Sequence, residues 1–590
     1  MTEPGRKPYE GKGRRLVVSI DVGTTFTAAS FCILQEGRVP KFEEILRWPK
    51  QANPDAKVPS VLYYDKQGVA RAFGAETEDE ETIVEAEEGQ WHKAEWWKLH
   101  LRPSHLSTIR GLKLHPLPKK ISAEEVLTDY LRYIKEQVKE YITSTYGDGR
   151  AIWTSLSPST FVILTTPNGW EGAQQNQMRQ AAIRAGLVDA DGGRRVRFVT
   201  EAEAAVLYAI DGGCVGDWLV EDGHLILCDC GGGTIDITGY KIASLAPLKL
   251  EESSASRCYL AGAVFITQAA RQYLKKQLKG TEWGSDEAIQ RAVNDFDRNA
   301  KRKFDGPENA SWVNLNGFKT IAELGIIRGR LKIPGEDMAK LFEPSIKSIK
   351  EGLDIAFENG NRLADKVILV GGLASSPYVY STLVKWGDEY GISVSRPDGP
   401  TTKAVANGAL AWYVDNSVGA RVSKYEYGTD AGILFDEKCK DSKGRSPYTS
   451  PDGIARVANA WNVILPKDTR VESTKEFVRN FDVQSTGSLD APLQHSIDIY
   501  AYRRAKAPKF VTFPGKNKLQ PGFDKICKVT AHLTQCRAST PAMTSKTTGT
   551  QYRAVNYDVC LSLGATELTA RIRWKENDEW AYGPATVAYD

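Results

Sequence analysis

Short apolar runs broken by polar turns dominate the first two thirds of the chain. Residues 16–20 (LVVSI) and 31–34 (FCIL) predict two strands around a Gly-Thr-Thr turn. A helix is predicted over 122–143, where Ser122 and Glu125 form a capping box and Val126, Tyr130, Ile134 and Val138 recur every fourth position. Residues 161–165 (FVILT) predict a buried strand ending at Thr166-Pro167. The following helix, Gln174 to Ala185, stops at Gly186. A second strand–loop–strand unit is predicted at 224–228 and 235–241, then a strand at 367–370 ending in Gly371-Gly372, and an Ala-rich helix at 402–414. Strands alternating with helices predict α/β architecture. After about residue 425 the helical periodicity fades. Alternating strands take over at Ile497/Ile499, Val559/Leu561/Leu563 and Leu568/Ala570/Ile572/Trp574, with a hairpin expected at Gly564-Ala565-Thr566-Glu567. The C-terminal quarter is expected to be a β-rich module.

The 590 residues correspond to about three or four domains. With 41% hydrophobic and 26% charged residues, the chain falls among globular proteins, not disordered or collagen-like ones. The 77 basic and 74 acidic residues leave a formal charge of +3, so nucleic acid and anionic membranes are not expected partners. No apolar run approaches the roughly 18–20 residues needed to span a bilayer. Residues 1–14, basic and rich in Gly and Pro, are expected to form a disordered arm and do not read as a signal peptide. The nine cysteines are scattered, which predicts free thiols in a reducing compartment. Cys228-x-Cys230 is too closely spaced for a usual zinc knuckle, and no His-x-x-His arrangement occurs.

Two loops carry the candidate chemistry. Asp21-Val22-Gly23-Thr24-Thr25 lies between two apolar strands. Glycine there lets backbone N–H groups approach a phosphate, threonine hydroxyls add donors, and an Asp at a strand end can hold hydrated magnesium. Cys228-Asp229-Cys230-Gly231-Gly232-Gly233-Thr234-Ile235-Asp236 repeats that design. Three successive glycines weaken a strand and call for a close ligand approach, a flexible hairpin turn being the alternative. A third element, Gly371-Gly372-Leu373-Ala374-Ser375-Ser376-Pro377, places a glycine pair between a strand and a helix. Two such loops about two hundred residues apart suggest a duplicated unit gripping one polyphosphate.

In order and combination these segments resemble the actin, sugar-kinase and heat-shock chaperone superfamily. The counterparts are phosphate loop one (21–25), a first connecting helix (200–205), phosphate loop two (229–236), an adenosine loop (371–377) and a second connecting helix (404–409). Within it, Asp-x-Gly-Gly-Gly-Thr-x-Asp and Thr166-Pro167 before a Gln- and Ala-rich helix resemble the heat shock 70 kDa protein family. Asp-x-Gly-Thr-Thr-Phe-Thr and Leu-Gly-Ala-Thr-Glu-Leu are similar to its divergent 12-like members.

The resemblance implies a two-lobed, actin-like (duplicated ribonuclease H-like) ATPase domain over 15–425. Lobe I would span about 15–205 plus 390–425 and lobe II about 206–389, with a smaller substrate-binding-like module at 426–590. It implies an ATP/ADP site with magnesium held through water by Asp21 and Asp229, and with Glu201 near the metal. Gly23, Thr24, Thr25, Gly231, Gly232, Gly233, Thr234 and Asp236 would surround the phosphates, and Gly371 and Gly372 would line the nucleoside. Lys98 is the candidate for the family's lysine near the γ-phosphate, a surface lysine being the alternative. Arg298 and Lys301 resemble the basic helix that packs on the adenosine, an exposed charged face being the alternative.

The chain also departs from the family. Ser375 stands where the family usually has an adenine-stacking Arg, a change that would forfeit about 0.5–2 kcal/mol. No Asp-Leu-rich linker follows Val414, and no long helical lid follows the β module. The expected function is a slow, chaperone-like ATPase with protein or peptide clients and co-chaperones in the cytoplasm or nucleus. A nucleotide-binding scaffold and a small-molecule kinase are the alternatives.

Overall fold

The computed structural model describes residues 6–103, 106, 114–170, 172–211, 219–245, 248–396, 404–415, 418–438, 440–472, 475–489, 491–564, 567–576, 579–584 and 586–587. The chain divides into two compact units, one of residues 1–170 and 177–418, the other of 171–176 and 419–590.

The first unit contains two mixed sheets with the same internal order. In one, the strands run Phe42–Glu44, Phe26–Gln35, Arg14–Val22, Phe161–Thr166, Val196–Thr200. In the other they run Leu248–Glu252, Ile235–Leu245, His224–Cys230, Lys366–Val370, Ser393–Ser395. Each sheet is an antiparallel hairpin whose first strand continues into parallel pairings. The hairpin turns are the two Gly-Thr loops. Parallel strands need crossovers, and those helices cover the sheets. The helix Ala123–Thr145 is one of them, opened by Ser122 N–H donating to Glu125 Oε2 at 2.7 Å. Its Val126, Tyr130, Ile134 and Val138 are buried in the core of the first sheet. Gly335–Asn359 buries Met338, Phe342, Ile349 and Leu353 against the second.

Each sheet leads into a connecting helix, Glu201–Asp211 and Ala404–Asp415. They pack so closely that a Cβ on Gly408 would lie 1.7 Å from the Ala204 carbonyl oxygen. Residues 402–403 of the predicted second helix lie outside the described residues.

Of residues 1–14, expected as a disordered arm, residues 6–13 contain no helix or strand but are tied down, and Arg14 already begins a strand. Tyr9 N–H donates to the Arg38 carbonyl and its own carbonyl accepts from Gly37, both at 2.9 Å. Arg6 pairs with Asp415 at 3.2 Å.

The second unit is β-rich. One sheet orders Tyr448–Thr449, Ala455–Leu465, Glu426–Leu434, Gln494–Tyr502 and Phe523–His532. Another orders Glu476–Ser485, Gln551–Gly564, Glu567–Glu576 and Glu579–Tyr582. Ile499, Val529, Val559, Leu561, Ala570 and Ile572 form a shared core, the consequence of period-two alternation on both sheets. Gly564 pairs with Glu567, while Ala565 and Thr566 of the expected hairpin lie outside the described residues. Cys32, Cys228, Cys230, Cys527, Cys536 and Cys560 are buried and Cys258 is half-buried, and none of these seven is in a disulfide. Cys214 and Cys439 lie outside the described residues. No helix among the described residues is long and apolar enough to cross a membrane.

Candidate functional site

The site grows from strand ends. Arg14–Val22 delivers Asp21, Phe161–Thr166 delivers Thr165, and Val196–Thr200 leads directly into Glu201. These three strands are parallel neighbours, so their C-terminal ends gather at one edge. Asp21 Oδ1 accepts from Thr165 Oγ1 at 2.8 Å. In the second sheet Asp229 and Asp236 are register partners, and Asp229 lies beside Val370 at the start of the glycine pair.

The two Gly-Thr loops face each other. A Cβ on Gly232 would lie 2.7 Å from Thr25 Oγ1, and one on Gly233 would lie 2.4 Å from Thr24 Oγ1 and 2.7 Å from Leu99 Cδ2. Only glycine allows that approach. Gly371, at φ +89°, would place a Cβ 2.4 Å from Asp229 Oδ1, whereas nothing lies within 4 Å of one on Gly372. Gly23 closes its turn by donating to the Phe26 carbonyl at 3.1 Å. The Gly231, Gly232 and Gly233 carbonyls accept from Ala263, Val264 and Gly262 N–H at 3.1, 2.9 and 3.2 Å. Donors at the start of the helix Ala263–Gln277 thus hold the loop from behind. Sequence reasoning missed Gly262; its only signal is a glycine just ahead of an amphipathic helix.

Lys98 arrives from a separate segment. Trp96, at φ +55°, starts the helical turn Trp97–Leu101, a conformation that bulky residues rarely adopt. Trp97 Nε1 donates to the Ser60 carbonyl at 2.9 Å. Trp96 packs with Leu99 against Leu260, Val264 and Phe265. The result is a buried ion pair, Lys98 Nζ to Glu201 Oε1 at 2.5 Å, with the ammonium 5.4 Å from the Trp170 ring centroid.

Negative charge is crowded here. Burial, then the charges of Glu201, Asp236 and Asp21, push the Asp229 carboxyl well above its ordinary range. Burial raises Glu201, opposed by Lys98 and reinforced by Asp21. Asp236 is pushed up to about 7 by burial and then by Glu201, against hydrogen bonds from Thr234, Asn168 and Cys258. Its Oδ1 accepts from Asn168 N–H at 2.6 Å, while its buried Oδ2 has no hydrogen-bond partner. Among the described residues no three His, Cys, Asp or Glu side chains converge to hold a metal ion directly. The carboxylates could reach a divalent cation through its water molecules, and their excess of charge suits one.

Asp21, Gly23, Thr24, Thr25, Lys98, Glu201, Asp229, Gly231, Gly232, Gly233, Thr234, Asp236 and Gly371 are thus linked through these contacts. Arg298 and Lys301 are each paired with a carboxylate. Arg298 pairs with Glu78 at 3.0 Å, and Lys301 is held by Asp297 and by Thr267 Oγ1 at 3.1 Å. Ser375 offers no cation, but Arg396 Nη1 reaches its carbonyl at 3.3 Å, with the guanidinium 4.3 Å from the Tyr380 ring centroid.

No family model matches the chain. It is 22% identical over 597 aligned positions to heat shock 70 kDa protein 12A of Homo sapiens, covering 85% of this chain and 84% of that protein. It is 23% identical over 505 positions to heat shock 70 kDa protein 12B of Homo sapiens, covering 71% of each. The chaperone protein HscA of Proteus mirabilis is 23% identical over 421 positions, 69% of this chain and 59% of its own length. The resemblance to heat shock 70 kDa proteins, and to the 12-like members in particular, therefore extends over most of the chain, and the mixed α/β architecture is consistent with it.

Proposed function

Taking that kinship as the premise, we propose that the chain binds ATP and hydrolyses it slowly, as a chaperone-like protein. Nucleotide state would close two lobes, about 15–205 plus 390–425 and about 206–389, and be relayed to the module at 426–590. The observation that carries this reading is the approach of two glycine–threonine loops over a buried carboxylate cluster. A polyphosphate gripped from both sides needs that arrangement.

Backbone N–H groups of Gly232 and Gly233 and the hydroxyls of Thr24, Thr25 and Thr234 would hold the phosphates, whereas the expected donors of Gly23 and Gly231 are spent on the Phe26 and Thr234 carbonyls that close the two turns. Magnesium, reached through water by Asp21 and Asp229, would neutralise charge on the transferred phosphoryl group. Lys98, kept in place by Glu201 and Trp170, adds positive charge beside the loops. Asp236 Oδ2, buried and without a partner, is available to take the proton of the attacking water. Gly372 leaves the backbone open to a nucleoside, Gly371 being packed against Asp229 instead, with Arg396 supplying the cation that Ser375 lacks. Clients and co-chaperones are the expected partners, in the cytoplasm or nucleus.

Thermal unfolding with Mg-ATP or Mg-ADP, paired with phosphate release, tests this on the wild type and Asp229→Ala. At a hundred times its dissociation constant a ligand of the folded state adds about 2.7 kcal/mol. Stabilisation with slow release, lost in the variant, is expected. Stabilisation without release would make the protein a nucleotide-binding scaffold, and no shift at millimolar nucleotide would refute the ATP site.

A further inference from the structure

Strand Phe161–Thr166 does not run straight into the next helix. It ends in a tight turn closed by Trp170 N–H donating to the Pro167 carbonyl at 3.2 Å, with Gly169 at φ +80°. Pro167 has no N–H, so the first free donor of the turn is Asn168, and that donor reaches Asp236 Oδ1 at 2.6 Å. Two residues later Trp170 presents its ring to Lys98. One four-residue turn therefore touches both the carboxylate and the lysine on which the proposed chemistry depends.

A side chain anchors that turn. Asn168 Nδ2 donates to Thr238 Oγ1 at 3.0 Å. Asn168, Thr238 and Asp236 are all at most 1% exposed. Thr238 and Asp236 belong to strand Ile235–Leu245, whereas the turn leaves the other sheet. The bond thus crosses between the two sheets and fixes the turn at the depth of the site. Asparagine suits the position: its amide reaches the hydroxyl, an aliphatic residue could not, and an aspartate would add a further negative charge to a crowded cluster.

We propose that Asn168 is a positioning residue: by pinning the Pro167–Trp170 turn to Thr238 it holds Asp236 and Lys98 in register with the two loops. The inference rests on the ATPase reading. It assigns Asn168 no contact with the reacting atoms.

The test uses the full chain as wild type, Asn168→Ala, Thr238→Val and the double variant. Thr238→Val is nearly isosteric and removes the same bond without altering the turn. Without nucleotide, amide hydrogen exchange at residues 168–170 should quicken in both single variants. With Mg-ATP, each should lower kcat about ten-fold while KM stays within about two-fold. The double variant should fall no further than the worse single one, because both changes remove one interaction. Unchanged exchange, independent additive losses, or faster exchange with full kcat would each overturn the proposal. A wild type with no turnover would overturn the ATPase reading and this inference with it; an active wild type beside a fully active Asn168→Ala would overturn this inference alone.

Discussion

Replacing Lys98 with Met removes the ammonium but keeps much of the apolar stem, leaving Glu201 buried without its cation. Both side chains are largely out of solvent, at 4% and 12% exposure, so water cannot substitute. An intact buried pair has a net worth near zero, but breaking one typically costs about 3–5 kcal/mol. Protonation sets a ceiling here. Glu201 can escape its charge by taking up a proton, and from the ordinary carboxyl value of 4.5 that costs about 1.4 kcal/mol per pH unit, or about 3.4 kcal/mol at pH 7. Lys98→Met should therefore destabilise the protein by at most about 3 kcal/mol at pH 7 and by under about 1 kcal/mol at pH 5, less what the already raised Glu201 carboxyl costs the wild type. The sign follows from linkage: the variant's Glu201 has a raised folded-state proton affinity, so stability is lost as pH rises. Denaturant unfolding of nucleotide-free protein at pH 5, 6 and 7 reads the difference. Adding Glu201→Gln to Lys98→Met should recover most of the loss at pH 7. A pH-independent loss, or a double variant no more stable than Lys98→Met, would refute the buried-pair argument.

Three further outcomes are expected. Gly233→Ala drives a methyl into Thr24 and Leu99, so it should abolish the Mg-ADP thermal shift while the nucleotide-free protein still unfolds cooperatively. Gly408→Ala pushes the connecting helices apart at the Ala204 carbonyl and should cost about 1–3 kcal/mol in denaturant unfolding. Asp236, raised from 3.8 to about 7, holds its proton more tightly folded than unfolded, so in chelator its contribution should be lost as pH rises from about 4 to 7. Asp236→Asn keeps an acceptor for Asn168 and should flatten that slope, gaining up to about 4 kcal/mol at pH 8; parallel wild-type and variant curves would refute the assignment.

Elements defined by near neighbours are legible in the amino-acid sequence. The capping box at Ser122 and Glu125 opens the helix where expected, and the helix runs to Thr145 rather than 143, closed by Tyr146 N–H donating to the Ile142 carbonyl. Both Gly-Thr loops fall at the turns of antiparallel hairpins, as the short apolar runs on either side predict. Other features are not legible there. The Arg298 and Lys301 helix reads as basic, yet Asp297 and Glu78 take up its charges. Ser375 reads as a lost cation, while Arg396, 21 residues away, comes to its carbonyl.

The strand–glycine–threonine units, their acidic residues and the change from α/β to β character can be read from the order of residues alone, because those depend on backbone freedom and on periods of two and 3.6 residues. Which groups meet is set by the folded chain. Lys98 and Glu201 are 103 residues apart and Asn168 and Thr238 are 70 apart. No local rule links such pairs. The first contact exists because the turn Trp97–Leu101 brings Lys98 to the end of strand Val196–Thr200, and the second because the two sheets of like order meet; burial there turns ordinary carboxylates into a cluster that demands a cation.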